Sequence, residues 1–345
     1  MGSTVIETVL HSTLEKSRKK LMFAAVKANA FYAYAMASGK VEYEDGGREI
    51  SNPLITNRND TTQSYEYYDE LPIKQTNEFS TIRYGWARVA GSVIISEQEM
   101  DENRGQTEIF KILKGKMQTL EESIKEKFGS FLYGAGTGKD PNGLGNLLPN
   151  VAESTVDGDG NSKQDGQASM TTGGLSRGIN YKDGSGKTVH PWQTMYKEVA
   201  LTPENIEEMF DDILLDMKQG KNEKPDLILC GRNIYRKYRK ALRDKVRILS
   251  EGTYSAKKMF DLGFDGVSFG GVTMLYDEDC PEDQAYVINS NYLKMHVLKH
   301  VNMKVKELSA PWTQDVIGRR MVWQGQMCLW KANRAHCAIK DTASA

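Results

Sequence analysis

No window of this sequence holds 18 consecutive apolar residues, so the chain offers no helix able to cross a membrane. Neither sign of charge dominates. There are 45 basic and 46 acidic residues and the net charge is −1, which excludes a global attraction for polyanions. Cysteine is sparse: Cys230, Cys280, Cys328 and Cys337 form no CxxC pair and no small disulfide framework, which fits a reducing compartment. The five histidines include no HExxH, and Cys328, His336 and Cys337 lack metal-ligand spacing. His296 and His300 are four apart, but the alternation that begins at His300 speaks for strand rather than a helical ligand pair. No Ser-His-Asp constellation is legible either.

Four segments imitate functional motifs and fail on specific residues. Arg18-Lys19-Lys20 followed by Leu21–Val26 resembles a secretory leader, yet Lys27 and Asn29 cut the apolar run short. Gly2 suggests myristoylation, but Ile6 stands where Ser or Thr is required. Gly134–Lys139 resembles a phosphate loop, but Tyr133 replaces its first glycine and Asp140 its Ser or Thr. The segment also ends a helix, whereas a phosphate loop begins one. Asp157–Asn161 starts like a calcium loop, with Ser162 in place of the turn glycine and Ala168 in place of the bidentate Glu. The sequence thus names no catalytic, metal-binding or cofactor-binding residue, and the expectation is a protein that is not an enzyme.

What is present is extended and amphipathic. From Gly46 to Ser96 the chain carries Tyr65, Tyr67, Tyr68, Phe79, Tyr84 and Trp86, with Pro53 and Pro72 excluding helix. Ile82, Tyr84 and Trp86 alternate with Thr81, Arg83, Gly85 and Ala87 at period two. Thr56, Asn57, Arg58, Asn59, Asp60, Thr61 and Thr62 form a polar tip. The reading is a long β-hairpin arm. Since an isolated two-stranded hairpin is marginal in water, its aromatics are expected to need a neighbouring copy.

A long helix follows, about 107–133, with Ile109, Leu113, Met117, Leu120, Ile124, Phe128 and Phe131 in one stripe. Glu121 and Lys125 are spaced for an ion pair, Gly134 ends the helix, and Ser96 to Glu99 reads as the capping box of a shorter turn of helix before it, set apart by Gly105. Residues 150–190 read mostly as loop. A helix starting at Thr202-Pro203 buries Ile206, Met209, Phe210, Ile213, Leu214 and Met217, and a buried strand lies at Pro225–Cys230. A basic helix, about 233–249, carries Arg236, Lys237, Arg239, Lys240, Arg243, Lys245 and Arg247. Its charge serves contact with nucleic acid, pairing with the acidic helix 203–218, or solvation alone. Tyr235 and Tyr238 are expected to face the core. Short strands are expected at 267–276 and 285–289, and long ones through Val301–Val305 and Met321–Leu329. The class is α+β, with the last strands returning onto the long helix.

Particular residues carry a family resemblance. Leu54–Asp60 and Tyr84–Gly91 are similar to the extended loop of tailed-bacteriophage major capsid proteins. Leu132–Gly138 with Gly143-Leu144 resembles the end of that family's spine helix. Pro225–Leu229 and Ala285–Asn289 are similar to its later strands. The resemblance implies the Hong Kong 97-type capsid fold. It divides the chain into an N-terminal arm (1–45), an extended E-loop (46–95), a peripheral domain (96–199 and 294–345) and an axial domain (200–293). It implies pentamers and hexamers closing an icosahedral shell around double-stranded DNA, assembled in the host cytoplasm and located in the virion. The subunit-interface residues so implied are Thr56, Asn57, Arg58, Asn59, Asp60, Tyr65, Tyr67, Tyr68 and Trp86. On that reading Arg236, Lys237, Arg239, Lys240 and Arg243 are the candidates for a charged interface or a lumen face, where they would touch packaged DNA without sequence preference. An arm of this length is near the lower limit for independent folding, so a separate scaffolding protein is expected, with a portal and a decoration protein as further partners. Some members cross-link Lys to Asn; Lys74 is the loop lysine here. No cofactor is implied. The alternative within the same fold is an encapsulin-like bacterial compartment.

Overall fold

The computed structural model describes residues 29–59, 61–71, 73–96, 98–99, 106–136, 138–150, 155–156, 162–163, 165–182, 186, 188–217, 224–243, 266–307 and 316–343. The N-terminal segment, whose Leu10, Leu14, Leu21, Ala25 and Ala28 have the spacing of one face of a helical arm, the calcium-loop imitation at 157–161, Asp60 and residues 244–249 of the basic helix lie outside them.

Among the described residues the strands form two large sheets. The first is built on β12 (Val316–Leu329), a 14-residue strand. Along one edge it pairs antiparallel with β4 (Ala87–Ser96) over the full register Val316↔Ser96 to Gly325↔Ala87. Along the other edge it pairs with β10 (Leu293–Leu298) and then β11 (Lys304–Glu307). β1 (Val41–Glu44) adds to β10 in parallel, closing a five-stranded sheet.

The long helix α2 (Gln106–Tyr133) lies on this sheet. Met117, Leu120, Ile124, Phe128, Phe131 and Leu132 are buried, as their spacing of three and four dictates. Gly91 of β4 admits Leu120 of the helix so closely that an added Cβ would meet its Cδ1 at 2.4 Å. Ser96 Oγ accepts the Glu99 N–H at 3.1 Å and Glu99 accepts the Ser96 N–H at 3.4 Å, a reciprocal cap. The expected Glu121–Lys125 pair forms at 3.2 Å. A second short helix, α1 (Ala30–Ala37), is capped by Asn29, whose Oδ1 accepts from Phe31 and Tyr32. Its residues Ala30–Ala35 are buried on every side.

The second sheet has six strands in the order β5 (Met195–Val199), β13 (Cys337–Asp341), β9 (Gln284–Ile288), β6 (Leu227–Cys230), β8 (Val272–Tyr276), β7 (Gly266–Phe269). Both faces of its central strands are dry. Leu227, Leu229, Tyr286 and Ile288 join the core that holds the long helix. Ile228, Cys230, Ala285 and Val287 face a second core under α3 (Ile206–Met217) and α4 (Arg232–Arg243). A strand buried on both sides reads as a continuous apolar run, which is what Leu227–Cys230 is. Tyr235 and Tyr238 face this second core, and all four cysteines are buried thiols.

Sequence reading and structure differ at several points. Period-two alternation through Ala87 sets Ala87 on the face opposite Ile82, Tyr84 and Trp86. Instead the ladder breaks at Trp86 and Ala87 turns inward. The cause is the change of partner: β3 (Phe79–Gly85) pairs with β2 (Glu49–Ile55), whereas β4 must present its face to the long helix. Residues 293–298 are a strand that the histidine spacing obscured, and Val301 belongs to a 3-10 turn before β11. Residues 87–95 therefore lie in the first sheet, while 195–199 and 337–341 lie in the second.

Candidate assembly surface

The hairpin of β2 and β3 has two unlike halves. Near its base Ile50, Leu54, Ile82 and Tyr84 share one face and are buried. The burial is intramolecular. Tyr84 donates its hydroxyl to the Leu329 carbonyl at 3.2 Å, and its ring meets Trp330 edge-on at 5.8 Å. Arg83 N–H donates to Gly173 O at 2.8 Å, and Gln326 Nε2 donates to Gly85 O at 3.0 Å. Trp86 is half-buried and donates Nε1–H to Gly47 O. The expectation that these aromatics depend on a second molecule is thus corrected for Tyr84, which its own chain covers.

Beyond Ile55 and Phe79 the ladder ends and the chain projects outward. Thr56, expected at the exposed tip, is buried at the ladder end, where its Oγ1 meets Ser80 Oγ at 3.1 Å. Asn57, Arg58 and Asn59 are exposed, and the Arg58 guanidinium lies 5.7 Å from the Tyr181 ring centroid. Asn59 Oδ1 accepts the Thr61 N–H at 2.8 Å, an Asx turn. Asp69 Oδ2 accepts the Glu66 N–H at 2.8 Å, which fixes a turn with Tyr67 and Tyr68 at its apex. Those two rings are fully exposed, at 102% and 100%. Tyr65, Leu71, Ile73, Ile55 and Phe79 are exposed as well. Leu71, Ile73 and Ile55 escaped the sequence reading, although Leu and Ile flanking Pro72 cannot continue a polar tip and were a usable signal.

The basic helix divides too. Lys237 pairs with the buried Asp341 carboxylate, which also accepts the N–H of Leu201 at 3.0 Å and Ala343 at 2.9 Å. It is a structural cation. Arg236, Arg239 and Lys240 lie on the solvent side, with the Arg239 guanidinium 5.9 Å from the Tyr235 ring centroid. The backbone of Arg243 ends the described helix, and its side chain lies outside the described residues.

The resemblance to a phosphate loop dissolves in the structure. Gly134 N–H closes the last turn of α2 on Phe131 O, and Gly136 and Gly138 adopt positive φ. Burial drives His336 down to about 3, so it is a neutral core imidazole whose Nδ1 accepts from Asn289 N–H. The thiols of Cys230, Cys280 and Cys328 are pushed up by burial and are poor nucleophiles. No described helix is long and apolar enough to cross a membrane.

Solved capsids share this architecture. The capsid asymmetric unit of cyanophage A-1(L) superposes with a TM-score of 0.58 at 11% identity, covering 88% of this chain and 91% of that one. The capsid of an empty GTA particle gives 0.52 at 11% identity, covering 89% and 96%. No curated protein sequence matches the chain. The sequence profile of the SU10 major capsid protein matches residues 150–343, more than half of the chain. It takes in the six-stranded sheet, both helices of the second core and the long strand β12. With a capsid fold of the Hong Kong 97 type around them, those residues identify the chain as a member of the SU10 major capsid protein family.

Proposed function

We propose that this major capsid protein joins its neighbours in the shell through the outer half of the hairpin. Ile55, Tyr65, Tyr67, Tyr68, Leu71, Ile73 and Phe79 would lie on an adjacent copy. The observation that carries the reading is a set of large apolar side chains left in water on a hairpin whose base is locked into its own subunit. Full burial of such a side chain contributes about 1.5–3 kcal/mol, so even partial coverage, repeated around a ring, makes dissociation rare. Asn57, Arg58, Asn59 and Asp60 form the polar rim of that contact.

The remaining assignments rest on the same reading. The protomers close as pentamers and hexamers into an icosahedral head around double-stranded DNA, assembled in the host cytoplasm with a separate scaffolding protein and a portal. The arm, E-loop, peripheral and axial regions lie at about 1–45, 46–95, 96–199 with 294–345, and 200–293, with 87–95 packed in the first sheet and 195–199 and 337–341 in the second. The solvent side of α4, with Arg236, Arg239 and Lys240, is the candidate lumen face. The subunit turns over no substrate. Membership of a capsid family favours this over an encapsulin-like compartment, and DNA-filled rather than enzyme-filled particles separate the two.

A deletion of 61–71 bridged by a short Gly-Ser linker tests the proposal. A wider cut beginning at residue 52 would remove Leu54, which is part of the core. The expected product is a folded subunit that sediments as small species and gives no shells by electron microscopy. Intact shells from this variant would refute the reading.

A further inference from the structure

The parallel pairing of β1 with β10 brings His296 beside Glu42 and Glu44, which lie about 250 residues earlier in the sequence. His296 Nδ1 lies 3.2 Å from Glu44 Oε1 and 3.6 Å from Glu42 Oε2. The first is a hydrogen bond whose donor depends on the imidazole tautomer, and the second is too long to be one. Both bracket the ~3.3 Å edge between ligands of a tetrahedron whose metal–ligand bonds are about 2.0–2.1 Å. The three donor atoms all lie within 4.8 Å of one another.

The imidazole supports the same conclusion. His296 is buried, and its Nε2 has no hydrogen-bond partner. Its ring stands at 82° to Trp330, with centroids 5.4 Å apart. A neutral ring carrying its proton on Nδ1 would leave a buried lone pair on Nε2 without a donor, at a cost of about 1–3 kcal/mol. A ring carrying it on Nε2 can point N–H toward aromatic surface. It then aims the Nδ1 lone pair at two carboxylates, a repulsive arrangement that a cation between them reverses. Lys294 already engages the other oxygen of Glu42, which leaves Oε2 for that cation and fixes the carboxylate's orientation.

We infer that Glu42, Glu44 and His296 form a binding site for a divalent transition metal, zinc being the best match. An imidazole with two carboxylates suits zinc over the oxygen-only preferences of calcium and magnesium. Both glutamates are partly exposed, which provides an entry path and a fourth position for water. Such a metal pins β1 to β10 five residues before the hairpin begins at Glu49, clamping the base from which the assembly loop springs. The sequence reading, which named no metal ligand, could not place these residues together.

Equilibrium dialysis of the full-length protein against zinc chloride, with metal quantified by mass spectrometry, tests this. One zinc per chain is expected, retained in His300→Gln, an exposed histidine of the same segment. Affinity should fall by at least ~10-fold in His296→Gln and in Glu44→Gln. Zinc binding that is absent at tens of micromolar metal, or unchanged in both variants, would overturn the site. Should His296→Gln fail to fold, the partly exposed Glu44→Gln decides alone.

Discussion

Phe128 and Trp323 meet edge to face with ring centroids 4.9 Å apart, and this contact joins the long helix to the long strand. Phe128 also touches Tyr32 of α1 at 5.6 Å and Phe131 at 6.3 Å, so one ring ties three elements together. Replacing Phe128 by Ala removes both its transfer energy and its edge contacts. The expected loss is about 3–5 kcal/mol, read as a lowered urea midpoint with unchanged slope. Phe128→Leu should recover roughly half. A loss under about 1 kcal/mol in the Ala variant would mean that the helix is held elsewhere.

That contact was half legible in advance. The stripe from Met117 to Phe131 and its glycine stop are local signals, so the helix expected at about 107–133 is found at Gln106–Tyr133. The alternation through Met321 and Trp323 likewise lies inside a single strand. What could not be read is which segments pair across the chain. Ala87 turns inward because β4 pairs with β12, and nothing near residue 87 records that. Tyr84 finds Leu329 and Trp330 some 245 residues away, so a hairpin that looked dependent on a neighbour is half satisfied at home. Glu42, Glu44 and His296 meet only through a parallel pairing of the same kind. The exposed tip was legible in its tyrosines, because side chains that pair with nothing carry their meaning in their own chemistry.

Asp277 links the end of the long helix to the start of α1. It accepts the Tyr133 hydroxyl at 2.8 Å and the Asp279 N–H at 3.1 Å, and it receives the Ala30 N–H. Burial, with the Asp279 charge adding to it, pushes its carboxyl up to about 6. A carboxyl raised in the folded state holds a proton that the unfolded chain has released. Its stabilisation is complete below the ordinary value near ~4 and is lost as pH rises through about 6. The stability difference between wild type and Asp277→Asn should therefore shrink from pH 4 to pH 7 and level off above. Denaturant melts of dissociated subunits across that range check it, and parallel curves would contradict it.

Gly143 and Gly138 are glycine for different reasons. A Cβ on Gly143 would lie 2.2 Å from Phe131 O, 2.4 Å from Gly134 O and 2.8 Å from Leu132 O, all backbone atoms of the helix end. A Cβ on Gly138 meets nothing within 4 Å, and only its φ of +71° resists a side chain. Gly143→Ala should thus cost about 2–3 kcal/mol by forcing the helix terminus apart. Gly138→Ala should cost about 1 kcal/mol, the left-handed penalty alone. Paired thermal melts distinguish them, and equal losses would rule out the close-approach explanation.

Arg177 is fully buried and is held by neutral oxygens. Nε donates to Thr172 Oγ1 at 3.0 Å. Nη1 donates to Gln167 Oε1 at 3.2 Å and Trp192 O at 3.5 Å, and Nη2 to Asn146 O at 3.3 Å and Leu147 O at 2.7 Å. Burial brings the guanidinium down to about 10, still charged at neutral pH. Its fork fastens three stretches: the one-turn helix Leu144–Leu147, the 167–172 segment and the approach to β5. Lysine presents one ammonium and cannot span them, so Arg177→Lys should lose about 3 kcal/mol or more despite keeping the charge. Arg177→Met, which removes the charge and leaves the acceptors unpaired, should be at least as damaging. Limited proteolysis should then cut within 140–194 well before global unfolding. If instead Arg177→Met proved as stable as wild type, the desolvation cost of the buried cation would outweigh all five of its hydrogen bonds, and the order of this region would have to come from Trp192 and the apolar residues packed around it.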